Sequence, residues 1–185
     1  MDYETKPMTR EMVRDIAKTF RMMLGYNNDE PFDPIRELDR LHLFIPKFSY
    51  EIVEDSELPR NVPSVCEIDE DENFVIRIKE TVYEGARKHK TGGYCMDITH
   101  EEIHVYNYLL GFKPTMQRSF NNYSIPAFKS SEWQTKAVAG EVMIPYDATK
   151  DMAVDEIVNK YNVSYDAAKL RKELKWKKIY LFKKV

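Results

Sequence analysis

From Thr9 to Leu24, apolar residues fall at Met12, Val13, Ile16, Ala17, Phe20, Met23 and Leu24. That three-and-four spacing predicts a helix with one buried face. Thr9 stands where a hydroxyl can cap the first turn, and Gly25 where a left-handed residue ends the last. The turn-rich connector NNDEPFDP follows, then a short helix over 34–41. Phe48–Val53 is a predicted strand, ended by ELPRNVP. Ser64–Ile68 and Asn73–Lys79 form a predicted hairpin, with DEDEN as its turn. In its second strand Phe74, Ile76 and Ile78 alternate with Val75, Arg77 and Lys79. ETVYEGARKHKTGGYC starts as a helix and breaks at Gly92-Gly93. A second helix then runs from about Asp97 to Leu110, ended by Gly111 and blocked by Pro114. The stretch KPTMQRSFNNYSIPAFKSS, roughly twenty residues, is a loop, and loops that long are usually functional or mobile. Glu132–Met143 is a helix that Ser130 or Ser131 can cap and Pro145 closes. After Asp151, two short helices flank NVS, and KIYLF adds a strand or packs.

This order of elements implies an α+β fold, with helices packed around a small, mostly antiparallel sheet. The length, 185 residues, suits one domain or one with a small appendage. The expected division is 1–150 as the main domain and 151–185 as a helical hairpin with a basic tail, packed on the same core.

Charge refines the picture. A net charge of −3 argues against a molecule built throughout for nucleic acid. The distribution is uneven: Lys169, Arg171, Lys172, Lys175, Lys177, Lys178, Lys183 and Lys184 crowd the end of the chain, while Glu67, Asp69, Glu70, Asp71 and Glu72 cluster near the middle. Cys66 and Cys95 make no disulfide framework and are expected to be reduced thiols. The polar start MDYETKPMTR has no signal-like core, and no apolar run is long enough to span a bilayer. The expectation is an intracellular, cytoplasmic protein.

The stretch DITHEEIHVYNYLLGF carries the candidate chemistry. His100 and His104 stand four apart, one above the other on a helix, so both rings can address one ion. Glu101 is rotated by about 100° and can reach a water without being a ligand. This is the H-E-x-x-H arrangement: two ligands and one general base. The competing reading is a solvated helix face with His104 against the core. A catalytic zinc needs a third protein ligand. His42, in LHLF, reads as a core or boundary residue, and His89 lies among basic neighbours. A carboxylate from another helix remains. Glu132 and Glu141, nine positions apart, point to opposite sides of theirs. Glu132 begins the stripe that can pack on another helix and is the better ligand, while Glu141 is expected to be exposed.

Several strings, in order, resemble the ImmA/IrrE family of zinc metallopeptidases: IRIKETVYEGA (76–86), ITHEEIH (98–104), EWQTKAVAGEVMIP (132–145) and DEIVNKYNVSYDAAKLRKEL. The resemblance spans roughly residues 9–175. It implies a zincin-like core, Zn²⁺ as cofactor, His100, His104 and Glu132 as metal ligands, and Glu101 as catalytic base. It also implies a protein substrate, namely a helix-turn-helix repressor of a mobile element or stress locus. Glu102 stands where the family is usually apolar, Ile103 where it has a small residue, Lys136 where it has Asn, and Val138 where it has Phe. Tyr94, Tyr123, Tyr146 and Arg118 are candidates for an oxyanion donor, and Asn73–Lys79 reads equally as a sheet edge that pairs with substrate or as an ordinary internal strand.

A different reading takes VDEIVNKYNVSYDAAKLRKELK and the basic tail as a helix-turn-helix in a DNA-binding regulator with a vestigial or structural metal site. Against it, Ile157, Tyr161, Val163, Ala167 and Leu170 can form a hairpin that covers the core. A third reading is a docking module whose tail binds an acidic partner.

Overall fold

The computed structural model describes residues 2–113 and 125–173. The fold is α+β, with eight α-helices around a three-stranded sheet among the described residues. The helix α1 (Arg10–Met23) begins as expected, with the Thr9 hydroxyl accepting the Met12 N–H at 3.2 Å. Gly25, at φ +81°, follows its end. The short α2 (Pro34–Leu38) is capped by Asp33.

The strands are β1 (Phe48–Val53), β2 (Ser64–Ile68) and β3 (Phe74–Lys79), in the order β1-β3-β2. β2 and β3 form the predicted hairpin, with Ser64 opposite Ile78 and Ile68 opposite Phe74. Its acidic turn is held by Asp69 Oδ1, which accepts the N–H groups of Asp71 and Asn73. β1 pairs with β3 in parallel, so the sheet is mixed, with one antiparallel and one parallel pair. β3 is therefore the central strand and not an edge. Its alternation explains this: Phe74, Ile76 and Ile78 are buried against the helices. On the other face Arg77 reaches Glu57 at 3.1 Å, Glu51 on β1 at 3.8 Å and Glu67 on β2 at 3.9 Å.

The helix α3 (Glu80–His89) leaves β3 directly, and α4 (Gly92–Leu109) follows after a left-handed residue at Lys90. The break thus falls before the glycine pair, and α4 starts five residues earlier than Asp97. Gly92 has a tertiary reason to be glycine. A Cβ there would lie 2.9 Å from both Asn162 O and Val163 Cα, in the turn between the last two helices. The remaining helices are α5 (Ser131–Met143), α6 (Tyr146–Thr149), α7 (Val154–Tyr161) and α8 (Tyr165–Glu173). Ile157, Tyr161, Val163 and Ala168 of the terminal hairpin join the main core cluster, alongside Phe20, Ile98, Ile103 and Val142. Among the described residues, no helix is long and apolar enough to cross a membrane.

Candidate metal centre

The site lies where α4 packs across the start of α5. Four-residue spacing stacks His100 and His104, whose ring centroids are 4.6 Å apart at an interplanar angle of 84°. Glu132 enters from the first turn of α5. That turn is well fixed: Ser130 Oγ accepts the Trp133 N–H at 2.9 Å, Asp2 Oδ1 accepts the Glu132 N–H at 3.2 Å, and the Tyr3 carbonyl accepts the Ser131 N–H at 2.9 Å. The N-terminal segment thus braces the residue that reaches furthest across sequence to meet the histidines.

The donor atoms converge. His100 Nε2 lies 3.0 Å from His104 Nε2 and 3.2 Å from Glu132 Oε2. His104 Nε2 lies 3.5 Å from Glu132 Oε1. A tetrahedron with zinc–ligand bonds of about 2.0–2.1 Å has edges of about 3.3–3.4 Å. The three separations scatter around that edge, and the group is one that could hold a metal ion. The far side of one ring fits as well. His104 Nδ1 lies 3.4 Å from the Thr135 hydroxyl, which also accepts from Asn107 Nδ2 at 3.3 Å. Ligand histidines commonly use their second nitrogen in this way, which fixes the ring and its tautomer. Hydrogen bonds with His100 and His104 hold the Glu132 carboxyl well below its usual range.

Glu101 sits one helical step away, turned toward β2. Ser64 Oγ donates to its Oε1 at 3.4 Å, and the Cys66 backbone N–H also points to it. Burial pushes its pKa up to about 7, against the pull of His100 and these donors. A carboxylate tuned near neutrality can both take and return a proton.

Other expectations meet different outcomes. Glu141 is buried, not exposed: Arg171 from α8 bonds its Oε2 at 2.7 Å, and the Tyr146 N–H bonds its Oε1 at 2.6 Å. Nothing local signals this, because Arg171 lies thirty residues downstream. His42 is exposed and not in the core, and His89 is exposed too. Of the oxyanion candidates, Tyr123 and Arg118 lie outside the described residues. The Tyr94 ring packs where a Gly85 side chain would stand, and Tyr146 lies beneath the Arg14 guanidinium. Ser64, Cys66, Thr135 and Asn107 support the site but carry no sequence signature that singles them out.

Two basic residues of the terminal hairpin are committed to the body of the protein: Arg171 to Glu141 and the Gly140 carbonyl, and Lys172 to the Lys150 carbonyl. The basic tail from Lys175 and the KIYLF segment lie outside the described residues.

No family model matches the chain, and no curated protein matches it. Among solved structures, a Mycobacterium tuberculosis transcriptional regulator is similar, with a TM-score of 0.46 and 15% identity over 89% of this chain and 51% of the other. The chain therefore spans about half the length of that protein.

Proposed function

We propose that the chain is a zinc-dependent endopeptidase. The observation that carries this reading is the convergence of two imidazole nitrogens and one carboxylate at tetrahedral spacing, with a buried glutamate beside them. His100, His104 and Glu132 would hold the ion, leaving a fourth position open. Zinc bound there would supply Lewis acidity, polarising the scissile carbonyl and making water acidic near neutral pH. Glu101 removes the proton from the attacking water and delivers it to the leaving amine. Ser64 and the Cys66 N–H hold the Glu101 carboxylate in place for both transfers. Thr135 and Asn107 hold the His104 ring.

The sheet offers a place for an extended substrate. The edge next to α4 is β2 and not β3, and among the described residues β2 pairs on one side alone. A peptide adding along this edge, beyond the Cys66 N–H that Glu101 takes, would gain main-chain hydrogen bonds beside α4. By the family resemblance, the substrate is a DNA-binding repressor whose cleavage relieves transcriptional repression in the cytoplasm.

Elemental analysis of purified wild type beside His104→Ala tests the centre. The expected result is close to one zinc per chain, falling to background in the variant. Glu101→Gln tests the chemistry: it should retain the metal and lose peptidase activity by about 10²–10⁴-fold. A variant that keeps both zinc and native turnover would overturn the mechanism. If the helical hairpin instead makes the chain a DNA-binding regulator, wild type will bind an operator with an affinity that falls steeply with salt, and cleavage assays will stay blank even with the metal bound.

A further inference from the structure

The two imidazoles of the metal centre are not equally supported. His104 has the Thr135 hydroxyl 3.4 Å from its Nδ1. His100 turns Nε2 to His104 and Glu132, and its Nδ1 has no hydrogen bond among the described residues. An unassisted neutral ring can carry its proton on either nitrogen, and with the proton on Nε2 no lone pair remains there for an ion. A carboxylate at Nδ1 keeps the proton on that side and makes Nε2 a stronger ligand.

We propose that Asp97 is a positioning residue for this centre: with zinc bound, its carboxylate accepts the Nδ1 proton of His100. The inference rests on the metal centre proposed above. Asp97 and His100 stand three apart on α4, which makes their side chains neighbours on one face. Helical side chains lean toward the N-terminus, so the His100 ring lies over the turn that carries Asp97. Nδ1 is the ring nitrogen nearer the helix, and Nε2 the one that reaches outward to the other ligands. The Asp97 turn is also fixed against the sheet, with Ser64 Oγ of β2 at 3.4 Å from the Asp97 carbonyl oxygen.

The carboxylate is free for this role. Asp97 is half-buried, and its side chain makes no hydrogen bond among the described residues. Burial raises its pKa, and the charges that oppose the rise are His100 first and Lys136 second. A partly buried carboxylate without a donor is unfavourable, and the Nδ1 proton supplies one. The other side chains close to His100 do not fill the position. Lys136, one turn after Glu132 on α5, is exposed and donates only, so it cannot receive an N–H. Met96 is a thioether, Glu101 is turned to Ser64 and the Cys66 N–H, and Glu132 meets Nε2.

Zinc affinity of the purified full chain, measured near neutral pH by competition with a chromophoric chelator, tests this. Asp97→Ala should weaken zinc binding by about 10–100-fold. Asp97→Asn keeps the shape and an acceptor oxygen but not the charge, and should weaken it by a smaller factor. It carries the test if the alanine variant does not fold. Lys136→Gln should not weaken zinc binding, which separates support of the ring from a charged brace between α4 and α5. Nitrogen NMR reads the ring itself: the His100 Nδ1 proton should exchange slowly with water in zinc-loaded wild type and rapidly in Asp97→Ala. A wild type that holds no zinc removes the centre and this role together. Zinc held by wild type and equally tightly by the folded Asp97 variants, or lost to the same degree in Lys136→Gln, overturns the role of Asp97 alone.

Discussion

Two carboxyl groups, one fully buried and one partly exposed, are shifted in opposite directions by their surroundings. Glu102 is fully buried in the middle of α4, and neither carboxylate oxygen has a hydrogen-bond partner. Burial, reinforced by Glu37 and Asp33, pushes its pKa well above the usual carboxylate range, which favours the neutral acid. A neutral carboxyl without partners still costs about 1–3 kcal/mol. Glu102→Leu, which is similar in size and has nothing to satisfy, should therefore raise stability by about that amount in urea unfolding at pH 7. Asp33 behaves oppositely. It caps α2 through the N–H groups of Ile35 and Arg36 and pairs with Lys90 at 2.8 Å. Burial raises its pKa, but Lys90 and the capping bonds outweigh this and lower it. A depressed folded-state pKa means stability present above the unfolded value of about 3.9 and lost as pH falls through the folded one. Asp33→Ala should cost about 1 kcal/mol at pH 7, and the gap from wild type should narrow steadily below pH of about 4.

At the scale of elements, the decisive contacts are made where helices approach each other closely. The first turn of α4 meets the backbone between α7 and α8 at Gly92. The neighbour is main chain and not a flexible side chain, so it has little room to yield. Gly92→Ala should cost about 1–3 kcal/mol by overpacking, despite alanine's better helix propensity. Chemical denaturation reads this directly. Gly93, with nothing within 4 Å of its added Cβ, is the matched control and should tolerate alanine. The two glycines look alike in sequence. The approach of a distant turn makes one of them indispensable.

For the whole molecule, two long-range links tie the end of the chain and its beginning to the centre. Arg171 and Glu141 form a pair whose side chains are 10% and 9% exposed. Arg171→Leu leaves a buried carboxylate alone with one backbone donor, and should destabilise the protein by about 3–5 kcal/mol. The proposed metal is the second link, since it joins α4 to α5 and, through Asp2 and Tyr3, to the N-terminal segment. Zinc at about 100 times its dissociation constant should add about 2.7 kcal/mol to folding. Thermal unfolding with and without a chelator should show that shift in wild type and lose it in His104→Ala.

Much of this architecture was legible in the chain itself. The α1 stripe, its Thr9 cap, the β2–β3 alternation and the Ser130 cap are local: each depends on neighbours within about one turn or one pleat. His100, Glu101 and His104 belong to the same class, because helical geometry alone sets them on adjoining faces. Glu132 could be chosen over Glu141 by the direction each takes from one helix. Tertiary structure decided the rest, because it joins groups far apart in sequence. It placed β3 in the middle by laying β1 parallel to it. It buried Glu141 by bringing Arg171 to it, moved the helix break ahead of Gly92, and set Ser64, Cys66, Thr135 and Asn107 around the site. Periodicity records which face of an element is buried. It carries no information on what arrives to cover it, and that is what sets the partners and ionisation of the groups inside.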